Sequence, residues 1–436
     1  MYNIEALPGP NNSGSQAYGL NGNGEVAGIA FPSYGLEGVL WQGGGPVFSL
    51  PPDSESILYS VNDAGDAVGL GGFNNSPTEI PILVRGGVST DLSSVLGGGA
   101  MCTDINNAGV LCGSSINHPN AFTYNISTKK VTLLPITATQ SHNYAAAINL
   151  AGHVIGAVEN NDGTSNGFYY DGAMHDLGPV GFVEDINDIG QVVGSIGAGS
   201  YPASFSPVIW DVTKDPPVAQ PIPLPTSDAF IGAHAESINN KGVAVGTSWT
   251  ASSYDGDQTA YVYANGSSTD LNRLISVPGW RLQFATHIND AGLITGFGTF
   301  KGQNTAFLLS PARRFIPVSE LVATMIFGGV KVDGGGWAVI GGVRHPIGPW
   351  GPEDWSLLDS SKRDALIGMA LDELAKYIAD VQVQETVRSA ILEGIRTSVG
   401  QLSARGGQIE AAYRQIAAWA LKNGKTAQAL RRFRAA

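Results

Sequence analysis

The first 310 residues alternate short apolar runs with turns rich in asparagine and glycine, and this alternation recurs seven times. Each copy reads apolar residue, Asn, two variable residues, Gly, three residues, Gly, as in Ile186-Asn187…Gly190…Gly194. The repeated asparagines are Asn21, Asn62, Asn106, Asn149, Asn187, Asn239 and Asn289. Their spacings of 41, 44, 43, 38, 52 and 50 residues are typical of four-stranded propeller blades.

Each copy predicts four strands. The first ends at the Asn and the second holds the second Gly, with a type I turn and a Gly bulge between them. The first Gly of each copy then needs a positive φ. An aromatic stretch predicts the third strand and an Asp-Leu run the fourth. Aromatic residues of the third strands share one register and are expected to pack between blades: Trp41, Tyr124, Tyr170, Trp210 and Tyr263.

The two ends of the repeat region predict how the ring closes. The seventh copy stops after its third strand, at Leu309-Ser310-Pro311, whereas a spare strand, Tyr2 to Leu7, precedes the first copy. A terminal strand that completes the last blade leaves no open sheet edge. The expected fold of residues 1–311 is therefore an all-β, seven-bladed β-propeller.

Composition and pattern change near residue 311. Residues 312–351 predict a Gly/Pro-rich linker with a β-hairpin around Val330–Val332 and Trp337–Ile340. From residue 352 to 436 apolar residues recur at helical spacing, and Ser361 with Asp364 forms a capping-box signature. A small, mostly helical C-terminal domain is expected there.

Charge divides the chain at the same place. The first 310 residues hold 8 Lys and Arg against 25 Asp and Glu, a net of −17, while the remainder is net +4. Such an acidic region repels phosphate, so nucleic acid is excluded as its partner. The chain has no run of 18 apolar residues, so no transmembrane segment is predicted. Met1 runs directly into a strand, so no leader peptide is expected within this chain.

The two cysteines flank the third Asn turn. If Asn106 pairs with Val110, then Asp104 pairs with Cys112 and Cys102 with Ser114. The cysteines would then be diagonal neighbours on one face, a poor geometry for a disulfide.

The repeats resemble the family of extracellular repeats named HAF, whose copies read I-N-x-x-G-x-V-V-G, then H-A-F, then D-L-G. Ala-Phe occurs at Ala121-Phe122 and Ala306-Phe307, but Asn120 and Thr305 replace the histidine. The resemblance implies an extracellular or periplasmic propeller, secreted or exposed at the surface. It supplies no catalytic residues.

Candidate catalytic and metal-binding residues lie near the expected central channel. Standard catalytic motifs are absent from the sequence, so no catalytic residue is assigned. Asp104, Asp185 and His287 share one repeat position, where they either hold a metal or satisfy backbone groups and water. With Glu184 and Glu236 they form the acid–base pool of any reaction in the channel.

Binding is expected on the face opposite the Asn turns, because its loops differ in every blade. Candidate ligand-binding residues there are Tyr201, His234, Trp249, Tyr254, Asp255, Asp257 and Trp280. Trp249 and Trp280 lie outside the aligned core register, so they are expected to be exposed in loops unless something covers them: a ligand or partner, the chain's own tail, or simple loop packing. Asp255 and Asp257 are expected to form a solvated turn that needs no ion, with Ca²⁺ binding as the alternative, and no other cofactor is indicated.

Three functions remain open. The leading interpretation is a non-enzymatic recognition module that binds a glycan or a protein through the variable loops. The second is a polysaccharide hydrolase or lyase acting in the central pocket. The third is a structural protein whose C-terminal helices dock to a partner or self-associate.

Overall fold

The computed structural model describes residues 1–33, 35–50, 55–71, 80–197, 205–225, 230–250 and 258–311, and the backbone of three short strands between 331 and 346. The chain divides into two compact units, Met1–Ala312 and Arg313–Ala436. The predicted helices of residues 352–436 lie outside the described residues.

The first unit is a seven-bladed β-propeller, and each blade is a four-stranded antiparallel sheet. Blades 1 to 3 comprise β2 (Gly14–Leu20), β3 (Val26–Phe31), β4 (Glu37–Gln42), β5 (Gly45–Ser49), β6 (Ile57–Val61), β7 (Ala67–Gly71), β8 (Ile80–Arg85), β9 (Val88–Asp91), β10 (Ala100–Ile105), β11 (Val110–Ser115), β12 (His118–Asn125) and β13 (Lys130–Leu133). Blades 4 to 6 comprise β14 (Gln140–Ile148), β15 (Val154–Asn160), β16 (Ser165–Tyr170), β17 (Met174–Pro179), β18 (Phe182–Ile186), β19 (Gln191–Ile196), β20 (Ser206–Asp211), β21 (Val218–Pro221), β22 (Gly232–Ile238), β23 (Ala244–Trp249), β24 (Gln258–Ala264) and β25 (Ser267–Asp270). The short helix α1 (Ser93–Leu96) and two 3-10 segments, Pro10–Asn12 and Leu271–Leu274, lie between strands.

Blade 7 closes the ring as the sequence predicts. Its strands are β26 (Trp280–Ile288), β27 (Ile294–Phe300), β28 (Gln303–Pro311) and, outermost, β1 (Tyr2–Leu7). Six residue pairs join the last two, from Tyr2 opposite Pro311 to Leu7 opposite Ala306. The N-terminal strand therefore completes the last sheet.

The second unit contains a small antiparallel sheet. Its strands are β29 (Lys331–Asp333), β30 (Trp337–Ile340) and β31 (Val343–Pro346). The first two pair at the positions of the predicted hairpin, and the third adds to the far side of β30.

The Asn turns have the predicted chemistry. The first Gly of every copy has a φ between +70° and +85°. In every copy the Asn Oδ1 accepts a hydrogen bond from the backbone N–H four residues later, for example from Val110 to Asn106 at 3.0 Å. The Asn side chain thus satisfies the turn that follows it.

The same asparagines link the blades into a closed ring. Each buried Asn Nδ2 donates to the backbone carbonyl of the Asn in the next blade, over 2.8 to 3.3 Å. The last of these bonds runs from Asn289 back to Asn21 at 2.8 Å. Seven hydrogen bonds therefore fix the register of each blade against its neighbour.

A β-bulge interrupts the innermost strand of every blade, three residues before the Asn. The bulge brings the carbonyl oxygen of the residue five before the Asn close to the second Gly of the copy. A Cβ at that glycine would lie only 1.8 to 2.2 Å from this oxygen. The second Gly is therefore required by close backbone approach, a reason different from that of the first.

The bulge at Thr103 corrects the predicted cysteine geometry. Asp104 pairs with Cys112 as predicted, but Cys102 pairs with Gly113 and not with Ser114. Because of the extra residue, the two thiols lie in different cores. Cys102 packs with residues of blade 2, and Cys112 packs with residues of blade 4. Both are free, and burial raises the pKa of the Cys102 thiol to about 12.

The hydrophobic core consists of separate layers between neighbouring blades. Trp41 and Trp210 are fully buried in these layers, as their shared register predicts. Tyr170 and Tyr263 keep partial exposure at the margins of the same layers.

Candidate functional site

The bulge decides which side chains line the central channel. The residues immediately before the bulges are buried between blades, whereas all seven bulge residues keep partial exposure. They therefore form one ring of equivalent repeat positions around the channel, in which the Thr103 and Thr286 hydroxyls donate to carbonyls of the next blade. The seven are Tyr18, Tyr59, Thr103, Ala146, Glu184, Glu236 and Thr286.

Aromatic and acidic side chains are unevenly distributed around this ring. Tyr18 and Tyr59 belong to neighbouring blades 1 and 2, with ring centroids 6.0 Å apart. Glu184 and Glu236 belong to neighbouring blades 5 and 6. In a ring of seven, blades 5 and 6 lie across the axis from blades 1 and 2. The channel therefore has an aromatic wall facing an acidic wall.

The acidic wall contains two carboxylates in different settings. Glu236 is paired with a histidine, whereas Glu184 makes no hydrogen bond to the described residues. His234 Nε2 lies 2.6 Å from Glu236 Oε1, and both side chains are largely buried. Burial lowers the pKa of His234, but the charge and hydrogen bond of Glu236, together with the charge of Glu184, outweigh burial and raise this pKa above its usual value. Burial, and then the charge of Glu236, raise the pKa of Glu184 to about 7. Glu184 is thus poised to exchange a proton near neutral pH.

The aromatic wall extends into blade 7. Phe284 and Phe297 are stacked at 4.4 Å, and Phe297 meets Tyr18 edge-on at 6.4 Å. The Tyr18 hydroxyl donates to Gln16 Oε1 at 2.8 Å. Burial, followed by the charge of Tyr59, raises the pKa of Tyr18 to about 12, so the phenol is neutral at physiological pH.

Asp104 and Asp185, one residue after their bulges, join blades together. Asp104 accepts from the Ser60 hydroxyl at 2.6 Å and from the Ile148 N–H at 2.9 Å, so it bridges blades 2, 3 and 4. Asp185 accepts from the Ser237 hydroxyl at 2.7 Å and the Ile238 N–H at 3.0 Å. These carboxylates satisfy backbone groups, which was one of the two predicted alternatives.

His287 occupies the same repeat position in blade 7. Burial raises the pKa of Asp104, and the positive form of His287 opposes this effect. In the described part of the chain, no three His, Cys, Asp or Glu side chains are grouped so that they could hold a metal ion. The predicted metal-binding ring thus gains no support from the arrangement of these side chains.

Aromatic side chains are also exposed on the variable-loop face, in the neighbouring blades 4 and 5. Phe182 begins β18 and is 37% exposed, and Tyr144 in β14 is 43% exposed. Phe182 lies edge-on against Phe205 at 5.3 Å and His234 at 5.7 Å, while Tyr144 stacks on His142 at 6.1 Å. The acidic wall therefore opens onto an apolar rim.

The expected exposure of Trp249 is wrong. Trp249 ends β23 and is 1% exposed, because Phe205 and His234 pack edge-on against its ring. Trp280 begins β26 and is half-buried, stacked on Phe300 at 4.6 Å. The apolar surface of Trp249 is thus covered by the propeller itself.

Of the other predicted binding residues, His234 lies in the acidic wall beside Glu236. Tyr201, Tyr254, Asp255 and Asp257 lie outside the described residues. Tyr18, Tyr59 and Phe182 are not among the residues predicted from the sequence. Their signal was the fixed distance of three or five residues before each repeated Asn.

No protein-family model matches this chain, and no curated protein matches it. Solved structures similar to it include U3-55K, which is 12% identical over 70% of this chain and 98% of that chain, with a TM-score of 0.45. The RRP9 WD40 repeats are 12% identical over 70% and 97%, with a TM-score of 0.45. A Pyrococcus horikoshii acylaminoacyl peptidase is 11% identical over 67% and 52%, with a TM-score of 0.44. Such distant likenesses carry no argument about ligand or reaction, and the propeller fold rests on the strand pairing above.

Across the residues that the structure describes, no helix is long and apolar enough to cross a membrane.

Proposed function

We propose that this protein is a recognition module whose variable-loop face binds a protein ligand around the channel mouth. The observation that carries the proposal is the set of large apolar side chains exposed on this face. They are Ile116 (69% exposed), Tyr144 (43%), Phe182 (37%), Ile196 (38%) and Ile231 (43%), all in blades 3 to 6. Exposed apolar surface on a rigid scaffold is characteristic of binding sites.

The residue types favour a protein over a glycan. Sugar rings stack on flat aromatic faces, whereas the branched side chains Ile116, Ile196 and Ile231 offer no such face. Mixed aromatic and aliphatic surface is typical of the centre of a protein interface. The resemblance to the HAF repeats supports an extracellular or periplasmic location for this recognition.

A hydrolase or lyase is the weaker alternative. Asp104 and Asp185 are both engaged by backbone N–H groups and serine hydroxyls, so they are poorly placed to transfer protons to a substrate. Among the described residues, Glu184, Glu236 and His287 make no such bonds, and Glu236 is paired with His234.

Selection from a phage-displayed random peptide library, beside a glycan array, tests the proposal. We expect enriched peptides whose affinity falls at least tenfold in Phe182→Ser. Val88→Ser is the matched control, because Val88 is 64% exposed on the outer strand β9 and lies away from the mouth. Binding on the glycan array without peptide enrichment would refute a protein ligand, and equal binding by Phe182→Ser would refute the assigned face.

A further inference from the structure

The channel below this mouth has a chemistry of its own. Glu184 and Glu236 are neighbours in the ring of bulge residues, and burial followed by the negative charge of Glu236 raises the pKa of Glu184. His234 compensates Glu236 at 2.6 Å. Among the described residues, Glu184 has no hydrogen-bond partner, and its side chain keeps partial exposure in the channel.

A carboxyl group beside a second carboxylate, with no hydrogen bond to stabilise its charge, is stabilised by a positively charged partner. The scaffold does not require a carboxyl group at this position, since Ala146 occupies it in blade 4. Glu184 is therefore available to a group that enters the channel from outside.

The residues of the opposite wall indicate which kind of chemical group would bind beside Glu184. Tyr18 and Tyr59 belong to blades 1 and 2, on the far side of the ring from blades 5 and 6, and their ring centroids are 6.0 Å apart. A cation placed between them is attracted by the carboxylates on one side and by the π faces on the other. Two neighbouring carboxylates suit a planar guanidinium, whose several N–H donors can reach both at once, better than a compact ammonium.

We propose that the channel binds the guanidinium group of an arginine side chain, held between Glu184 and Glu236 on one wall and Tyr18 and Tyr59 on the other. This inference rests on the proposed function, because the arginine would belong to the protein ligand seated on the variable-loop face. The net charge of −17 over the first 310 residues attracts such a basic segment toward the mouth.

Proton linkage gives the site a distinctive signature. Glu184 must be ionised to hold a cation, and its pKa is raised to about 7. At pH 6 ligand binding must displace a proton, whereas at pH 8 the carboxylate is already charged. Affinity should therefore rise between pH 6 and pH 8, and proton release on binding should be larger at pH 6.

Isothermal titration of the full chain with N-acetyl-arginine methylamide tests the proposal, with the uncharged citrulline analogue as the matched ligand. We expect the arginine probe to bind at least tenfold more tightly than the citrulline probe. Glu184→Gln and Glu236→Gln should each reduce arginine binding at least tenfold, and Tyr59→Leu several-fold. Glu184→Gln should also remove most of the pH dependence. Glu5→Gln, on the exposed outer strand β1, should change nothing.

The outcomes separate this site from the proposed function. If library peptides bind the parent but the arginine probe does not, the channel assignment is wrong and the recognition face stands. Equal binding of the citrulline and arginine probes would also overturn it, as would full binding by Glu184→Gln. If the probe binds and Phe182→Ser leaves peptide binding unchanged, the channel site stands and the assigned face is wrong. Thermal melting of each variant confirms that it is folded.

Discussion

The ring of asparagine hydrogen bonds predicts that one amide nitrogen stabilises the junction between two blades. Asn106 is 7% exposed. Its Nδ2 donates to the Asn149 carbonyl at 2.8 Å, and its Oδ1 accepts from the N–H groups of Ala108 and Val110 at 3.0 Å each. Two substitutions separate these roles. Asn106→Ala removes all three bonds, whereas Asn106→Asp keeps both turn bonds and loses only the donor to the next blade.

The magnitude follows from the number and burial of these bonds. At roughly 0.5–1.5 kcal/mol per hydrogen bond, Asn106→Ala should cost about 2–4 kcal/mol of the free energy of unfolding. Asn106→Asp should cost at least about 2 kcal/mol near neutral pH, because a buried carboxylate oxygen then faces the Asn149 carbonyl. At roughly 2–4 °C per kcal/mol, a loss of about 2 kcal/mol lowers the melting temperature by about 4–8 °C.

Differential scanning calorimetry of the two variants measures this loss. Asn125 is the matched control, since its Oδ1 accepts from the N–H groups of Ser127 and Thr128 in an exposed turn. Asn125→Asp should melt within about 1 °C of the parent, because both turn bonds persist and surface substitutions rarely exceed about 0.5 kcal/mol. If Asn106→Asp is as stable as the parent, the inter-blade hydrogen bond contributes nothing to stability, and the asparagine is needed only for its turn.

Three further perturbations test other parts of the scaffold. Deleting residues 1–8 removes the strand Tyr2–Leu7 from blade 7 and should lower the melting temperature by many degrees; an unchanged value would contradict the closure. Gly190→Val places a Cβ at φ +80° and 2.7 Å from Thr213 Cγ2, which should cost at least about 1–3 kcal/mol in urea unfolding. An equally stable variant would show that the turn tolerates a β-branched residue. Trp249→Ala should lose about 3–5 kcal/mol, because Trp249 is buried against Phe205, whereas Trp249→Phe should lose less. If Trp249→Ala is as stable as the parent, the tryptophan does not stabilise the core and becomes a candidate binding residue again.

The sequence predicts the ring because its repeated signals are local. An Asn and a Gly three residues apart specify a turn with their own side chains and dihedral angles, so seven copies predict seven blades. The spare strand at Tyr2–Leu7 likewise follows from counting strands. None of these inferences depends on how one blade sits against the next.

The bulge was missed because its cause lies between strands. The pattern around Thr103 reads as regular alternation, and regular pairing placed Cys102 opposite Ser114. One extra residue moved Cys102 opposite Gly113 and turned the thiols to different faces. A signal was available in the second Gly of every copy, since an invariable Gly within a strand marks a bulge or a close backbone approach.

The same bulge explains how one repeated scaffold can carry different chemistry in each blade. The Asn and both glycines are tied to the turn, to the next blade and to the bulge carbonyl, so a change at Asn187 or Gly194 disturbs the fold. The bulge residue lies between these constraints and is required by none of them, although the Thr103 and Thr286 hydroxyls donate to carbonyls of the next blade. Tyr, Thr, Ala and Glu therefore all occur there. An exchange such as Glu184→Gln should spare the ring while altering what the channel binds, which is the property expected of a position that serves recognition.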